Sequence, residues 1–493
     1  MKSAAKVEFG DFQTPPALAD AVCTLLLRLG VVPSRIIEPT CGVGAFVGAA
    51  QTAYQQIPVA AFEVNPDYAA TARTTYPRAR IVTADFFAHD WDAELSDDAD
   101  PLILGNPPWV TSAAVSVVQG ANLPTKANIY GLRGLAAKTG KANFDIAEWM
   151  ILRLLQTRHG RPATLAVLCK TATARKVLRH AWRGHLPISA ASLHLIDAPA
   201  QFGAAVDACL FLARLGTIGP TQADVFADLT ATTPTHRIGL AGADLVADLD
   251  AYHELRAFEG LFPFQWRSGL KHDCASVLEL TPSPDGILRN KSSEIVEVEA
   301  AALFPWCKST GLARRDGEPA HWLLLPQASL AEPTEQFLAN APLALSYLRA
   351  HAKAFAVRKS SIYKRGGPFA VFGVGPYTFT PWKVAVSALH RPIKFSVVGP
   401  KNGQPVLFDD TCYYLSFAQE TDARTVAAVL NSSSCLRFIE TLIFPGAKRS
   451  VTVELLQRLD FRAIAAAEKI SISSTTQEAK RAHEQFELLA FGT

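Results

Sequence analysis

Residues 36–50 read "IIEPTCGVGAFVGAA". A short apolar run ends in an acid and a proline, glycines follow at positions 42 and 44, and an apolar stretch then resumes with helical spacing. A strand that turns sharply into a helix through glycines brings backbone close to a ligand, because a residue without Cβ tolerates the positive φ of such a turn. The stretch therefore predicts an α/β sheet with a ligand at a strand end. It is not the GxxxxGK[ST] loop that cradles phosphates, and it lacks the three-glycine dinucleotide spacing. A tight turn with no ligand is the competing reading of these residues alone.

Outward from this turn the same alternation continues over residues 1–240. "RIIEPT", "VAAFEV", "RIVTADF", "PLILGN", "ATLAVLC", "SLHLID" and "ACLFLARL" read as strands, while "LADAVCTLLLRL", "PDYAATARTTY" and "DIAEWMILRLLQT" carry helical spacing of apolar residues. Alternating strand and helix means a mostly parallel sheet. Too little chain separates the last two strands for a helical crossover, so they are expected as an antiparallel pair at the sheet edge. From about residue 217 to 260 the chain is rich in Thr, Ala and Asp and reads as a connection with some helix. Beyond it strands shorten and Gly, Pro and aromatics become frequent, which marks a second, mixed α+β domain. The expected domains are 1–240 and 255–493.

Totals narrow the function classes. The 493 residues carry a formal net charge of only +3, so any nucleic-acid surface must be a local patch. No run of about 18 apolar residues suggests a membrane span, and "MKSAAKVEFGDFQTPP" lacks the apolar core of a secretory signal. The eight cysteines form no C-x-x-C pair, which predicts no metal site, no disulfide framework and a reducing, cytoplasmic setting.

Three more signals fall at successive strand ends. Glu63 in "AAFEVN" lies about 20 residues past the glycine loop, where an acid accepts hydrogen bonds from ribose hydroxyls. Asp85 in "TADFF" is placed to accept from an adenine amino group, and Phe86 to cover the adenine face. Next comes "ILGNPPWV", residues 103–110. Ligands bind outside the carboxyl ends of such a sheet, so all four signals point to one place.

This order resembles the S-adenosylmethionine-dependent amino-methyltransferases of DNA, whose fourth-strand motif is [N/D/S]-P-P-[Y/F/W]. "NPPW" is a variant of it, with tryptophan less usual than tyrosine or phenylalanine. "GDFQTPPALADAV" before the glycine loop resembles the family's cofactor-closing motif. Its N-terminal position, with a recognition region at the C-terminus, is the gamma arrangement common among N6-adenine enzymes of restriction-modification systems. The resemblance covers roughly the first 215 residues. It extends over 260–460 through "WRSGLKHD", "FGVGPYTFTPWKVAV" and "AAVLNSSSCLRF", while "NFDIAEWM" and "LAVLCKTATARKVL" match the middle motifs more loosely. It implies a Rossmann-like methyltransferase sheet, mostly parallel with an antiparallel last strand, followed by a DNA-recognition domain. The implied cofactor is S-adenosylmethionine, held by Gln13, Thr14, Pro15, Glu38, Thr40, Gly42, Gly44, Glu63, Asp85 and Phe86. The implied catalytic set is Asn106, Pro107, Pro108 and Trp109, with Phe202 in "PAQFGAAVDACLFL" as a second aromatic. The implied partner is double-stranded DNA, which leaves room for a separate cognate restriction endonuclease.

The motif also has its own physical reading. An exocyclic base amine is a poor nucleophile because its lone pair is delocalised into the ring. A side-chain carbonyl at Asn106 and a backbone carbonyl at Pro107, each accepting one N–H, would aim that lone pair at an electrophilic methyl. Such positioning supplies up to roughly 7–11 kcal/mol. A base in a duplex must first be flipped out, and stacking on Trp109, with Phe202 over the other face, would be worth about 1–3 kcal/mol per base. For Phe202, a core phenylalanine competes with this role.

Between Gln336 and Phe408 there is no Asp or Glu, against ten Lys and Arg. That asymmetry is the footprint expected of phosphate binding, and a solvated basic loop is its alternative. The expected DNA-binding residues are Lys271, Arg358, Lys359, Lys364, Arg365 and Lys383, with Lys448 and Arg449 as weaker candidates. The adjacent His272, Asp273 and Cys274 read as structural or DNA-facing. Asp285, Glu297 and Glu299 faintly resemble a metal-dependent nuclease but lack its following lysine. Rival functions are cytosine-N4 methylation, an RNA or protein-glutamine methyltransferase, and a recognition or modification subunit of a larger restriction or phage-defence complex.

Overall fold

The computed structural model describes residues 13–110, 145–329, 332–360, 362–363, 367–446 and 449–472. The chain forms two compact units, Met1–Asp250 and Ala251–Thr493.

The first unit alternates as the sequence predicts: α1 (Pro16–Arg28), β1 (Ile36–Glu38), α2 (Ala45–Ala53), β2 (Val59–Glu63), α3 (Pro66–Thr75), β3 (Arg80–Thr83), α4 (Trp91–Glu94), β4 (Leu102–Gly105), α5 (Ile146–Thr157), β5 (Ala163–Lys170), α6 (Thr171–Arg183), β6 (Ile188–Ile196), α7 (Ala198–Phe202) and β7 (Ala208–Leu215), then β8 (Gln222–Phe226), β9 (His236–Ala241) and β10 (Asp244–Val246). Local chemistry sets the starts of the helices. Pro16 occupies the first turn of α1, where its fixed φ is already helical and its missing N–H bonds nothing. Asn65 caps α3 by accepting from the Asp67 and Tyr68 amides, and Asp145 caps α5 through the Ala147 amide.

All ten strands lie in one sheet, in the order β10-β9-β8-β6-β7-β5-β4-β1-β2-β3. β3, β2, β1, β4 and β5 run parallel. β1, β2 and β4 are buried along their whole length, as parallel strands covered on both faces must be. β7 runs antiparallel to both β5 and β6. This is the Rossmann-like sheet, with β7 running antiparallel to its neighbours. Strand order reverses between β1 and β4, which places the ligand crevice at their carboxyl ends. At the β3 side, Arg73 of α3 donates from Nε to the Ile81 carbonyl (3.1 Å) and from Nη2 to the Thr83 hydroxyl (2.5 Å).

Two expectations are corrected. The β6–β7 pair is antiparallel but not at the edge, because β6 also pairs with β8 and the sheet continues through β9 and β10. The stretch read as a connection instead adds three strands, with β8 parallel to β6 and antiparallel to β9, and β9 antiparallel to β10. In β8, burial alternates residue by residue, so a strand with only two buried positions is hard to tell from a polar connection.

The second unit holds two sheets. One, in the order β13-β12-β15-β14-β18, is built from β12 (Glu279–Pro282), β13 (Leu288–Arg289), β14 (Leu303–Cys307), β15 (His321–Leu324) and β18 (Leu407–Phe408). The other, in the order β11-β19-β16-β17, comprises β11 (Arg267–Ser268), β16 (Trp382–Ser387), β17 (Phe395–Val398) and β19 (Cys412–Phe417). The helices Ser309–Arg315 and Glu420–Leu430 both pack against β16.

Candidate functional site

The carboxyl ends of β1, β2, β3 and β4 converge on one cavity that is partly open to solvent. Glu38 enters from β1, Glu63 from β2, Asp85 and Phe86 from the turn after β3, and Asn106 and Pro108 from the turn after β4. Gln13, Thr14, Thr40 and Gly42 complete the expected set that lines it, and Tyr68 and Met150 join it unforeseen. Tyr68 sits one turn into α3, close after Glu63, and Met150 lies on the apolar face of α5. Neither carries a motif that sequence spacing would single out.

Hydrogen bonds tie these segments together. Glu63 accepts from the Gly42 amide through Oε2 and from the Asn65 amide through Oε1, both at 2.8 Å. The acid thus fastens the glycine loop to the turn into α3. The Val43 amide donates to Gln13 Oε1 at 3.3 Å, and Asn106 Nδ2 donates to Thr14 Oγ1 at 3.2 Å. Asp85 Oδ1 accepts from the Phe87 amide at 2.9 Å. Phe86 is buried against Trp91, with ring centroids 4.9 Å apart.

The glycines of the loop serve different ends. Gly42 has φ +55°, and a Cβ there would lie 2.5 Å from Gln13 Oε1, inside the cavity wall. Gly44, at φ +95°, is not among the lining residues. A Cβ there would strike the Tyr76 ring at 2.7 Å, so this glycine answers to packing between α2 and the end of α3. Pro15 and Pro107 also stand outside the lining set.

The cavity's charge is distinctive. Its lining holds three carboxylates and no lysine or arginine. Burial, and then the neighbouring charge of Glu63, push the Glu38 carboxyl well above the usual range. Glu38 Oε2 is buried and has no hydrogen-bond partner among the described residues. A buried, unsatisfied acid beside a second acid suits a cationic ligand and disfavours phosphates. An ammonium- and sulfonium-bearing nucleoside such as S-adenosylmethionine fits this donor set.

The aromatic pair differs from the expected clamp. Trp109 is only 5% exposed, packs in the unit's main core and donates from Nε1 to the Leu168 carbonyl at 3.3 Å. Phe202 meets it edge-on, with centroids 5.0 Å apart and planes at 67°. A base stacked between two rings needs about twice the ~3.5 Å contact distance. The two residues are brought together, but as a closed edge-to-face contact, because the indole finds apolar cover and a carbonyl partner on β5.

The expected DNA residues are redistributed. Lys383 lies on β16, which is covered by helices, and it is 1% exposed. Its Nζ donates to the Thr380 carbonyl (2.8 Å), and burial lowers its pKa to about 7. Arg358 donates to the carbonyls of Phe355, His272, Ala370 and Pro368 and lies over the Tyr363 ring at 3.9 Å. Lys383 is thus buried and Arg358 half-buried, each with its cation engaged by backbone carbonyls. Lys359 is exposed, and Lys271 pairs with Asp273 at 3.7 Å. Lys364, Arg365 and Lys448 lie outside the described residues. Arg449 pairs with Asp410 at 3.4 Å.

Of the remaining sequence candidates, His272, Asp285 and Glu299 have structural partners. His272 is buried, with Nδ1 accepting from the Cys274 amide and Nε2 at 3.4 Å from Glu279. Glu279 also meets Lys308 at 2.6 Å and Lys291 at 3.2 Å. Glu299 accepts from the Leu343 and Ala344 amides at the start of a helix, and Asp285 closes a turn with Ser283 and Ile287. Among the described residues, no helix is long and apolar enough to cross a membrane.

No family model matches the chain. It is 38% identical over 470 residues to the type II methyltransferase M.NspV of Nostoc sp., a match spanning 93% of this chain and 98% of that protein. A stretch of 103 residues is 35% identical to the type II methyltransferase M.CvrRI of Paramecium bursaria Chlorella virus XZ-6E, covering 21% of this chain and 25% of that one. Among solved structures, the type IIL restriction-modification enzyme MmeI, determined in complex with DNA, matches with a TM-score of 0.56 at 12% identity, over 99% of this chain and 80% of that one, a likeness of fold. Identity of this extent over nearly the whole of M.NspV shows that the chain belongs to the type II methyltransferases.

Proposed function

We propose that the protein is a sequence-specific DNA methyltransferase that uses S-adenosylmethionine to methylate the N6 amine of a flipped-out adenine. The observation that carries this reading is the acid-lined cavity at the strand-order reversal, with no lysine or arginine in its lining and with Asn106 and Pro108 forming part of its wall. Membership of the type II methyltransferases supports methyl transfer, and the DNA complex of MmeI supports the substrate class.

The cofactor, when bound, supplies an electrophilic methyl group. Glu38 would pair with its ammonium, Glu63 would accept from its ribose, and Asp85 and Phe86 would hold its adenine. Thr14 holds the amide nitrogen of Asn106, so the amide oxygen is the end that accepts an N–H from the target amine. The Pro107 carbonyl accepts the other N–H. Together they would aim the nitrogen lone pair at the methyl group; as the N–C bond forms and the S–C bond breaks the positive charge passes to the nitrogen, whose acidified N–H then releases its proton to water, so no strong base is needed. The unit 1–250 performs transfer and the unit 251–493 recognises DNA. The order of motifs and the asparagine at the head of NPPW support adenine as the base.

The test is expression of the chain alone in a methylation-free host, with modified bases mapped in that host's DNA by single-molecule sequencing. N6-methyladenine within one short sequence is the expected result. N4-methylcytosine would move the chemistry to the other exocyclic amine, and unmodified DNA from a host making the folded protein would overturn the reading.

A further inference from the structure

Lys170 stands where a lysine is poorly suited to its local structure. It is the last residue of β5 and the N-cap of α6, with extended backbone and no side-chain capping bond. A cation at a helix N-terminus opposes the helix dipole, typically by about 0.3–1 kcal/mol. Its side chain is mostly buried, and burying a long side chain also sacrifices rotamer freedom. The contacts that offset this are specific. Lys170 Nζ donates to the Trp109 carbonyl at 2.8 Å and to Asp145 Oδ2 at 2.6 Å. Asp145 is itself buried, and its other oxygen caps α5 through the Ala147 amide at 3.1 Å. Beside it, the Ile146 amide donates to the Val110 carbonyl at 2.9 Å. One ammonium thus joins the end of β5, the start of α5 and the last peptide of Asn106-Pro107-Pro108-Trp109.

We propose that Lys170 is a positioning residue for methyl transfer, holding the NPPW turn through the Trp109 carbonyl while Asp145 balances its charge. The proposal rests on the methyltransferase reading above. Two prolines stiffen residues 107 and 108, so a turn fixed at its end by Lys170 and at its start by the Asn106–Thr14 bond has little freedom left. With the Trp109 carbonyl engaged by an ammonium, the backbone acceptor for a substrate amine is the Pro107 carbonyl. The paired carboxylate matters as well: it neutralises an ammonium bonded to the NPPW turn, a charge that unpaired would disfavour a cationic methyl donor. Lys170 touches neither substrate nor cofactor in this scheme and acts through the turn.

The test is steady-state and single-turnover methylation of DNA by full-length Lys170→Met, Lys170→Arg, Lys170→Gln and Asp145→Asn proteins, beside cofactor and DNA binding and thermal unfolding. A misplacement of about 1 Å costs on the order of 100-fold, and Lys170→Met is expected to lose kcat on that scale with KM for DNA and cofactor affinity largely kept. Lys170→Arg, which retains a cationic donor for both partners, should recover part of kcat. The Lys170→Met/Asp145→Asn double variant should lose no more than Lys170→Met alone, since both act on one contact. Should Lys170→Met fail to fold, Lys170→Gln carries the test, because it keeps a donor for the Trp109 carbonyl but loses the ion pair. Wild-type kcat in a folded Lys170→Met protein, or a loss tracking only unfolding and unrelieved by arginine, overturns the proposal. Absence of DNA methylation by the unaltered protein overturns the methyltransferase reading itself, and this proposal with it.

Discussion

Asn106 Nδ2 and Thr14 Oγ1 meet at 3.2 Å across 92 residues of sequence, so the segment that opens α1 also orients the amide beyond β4. The bond makes the motif at the N-terminus part of the same device as NPPW. Asn106→Ala is expected to abolish transfer while leaving DNA binding largely intact, measured by methyl incorporation beside an electrophoretic binding assay. Thr14→Val removes only a hydrogen bond, worth roughly 0.5–1.5 kcal/mol. It should lower kcat by about 2- to 13-fold by that figure, and an unchanged kcat would show that Asn106 needs no such support.

Glu38 carries a raised pKa through burial and then through the charge of Glu63. A carboxyl held protonated must ionise to pair with an ammonium, so cofactor binding should release protons. Affinity should therefore rise with pH until Glu38 is ionised in the free protein. Calorimetry in buffers of different ionisation enthalpy reads this directly. Glu38→Gln should weaken binding and abolish the proton release, whereas release that persists in the variant would place the titrating group elsewhere.

Arg358 and Lys359 are neighbours with opposite expected behaviour. Arg358 supports four carbonyls and a tyrosine ring, and Arg358→Ala should lower the melting temperature. Lys359 is exposed, and Lys359→Ala should leave stability alone and reduce the salt slope of DNA binding by about one. A slope that changes for Arg358→Ala in a folded protein, and not for Lys359→Ala, would reverse the assignment.

Lys383 gives the second unit a pH dependence of its own. Burial lowers its folded pKa to about 7 from 10.5, so between these values the unfolded chain binds the extra proton. Stability should rise with pH across that window, by at most ~1.4 kcal/mol per unit. Lys383→Met should raise stability at neutral pH and flatten the rise. Denaturation of both proteins across the window checks this, and parallel curves would mean that Lys383 is not the group involved.

The sequence made the catalytic end of the fold readable because its signals are local. An acid, a glycine turn or an asparagine before prolines falls at a strand end whatever the rest of the chain does, and the sheet then assembles them. Residues whose role depends on which way a side chain points were less legible. Lys383 and Lys359 look alike in an acid-free stretch, yet β16 places one under helices and the other stays at the surface. β8 to β10 were missed because strands half exposed to solvent carry few apolar residues. Lys170 lies within the loosely matching LAVLCKTATARKVL but was not singled out there, since its partners lie 61 and 25 residues away.

The two margins of the ten-stranded sheet also bear on how the protein behaves at high concentration. An unpaired strand offers its amides and carbonyls to any passing chain, the usual start of self-association. Here one margin, β10, is only three residues long and begins on an aspartate. At the other, Arg73 already occupies the Ile81 carbonyl and the Thr83 hydroxyl of β3, placing a cation where a foreign strand would dock. A sheet this wide is thereby kept from growing wider by recruiting its neighbours.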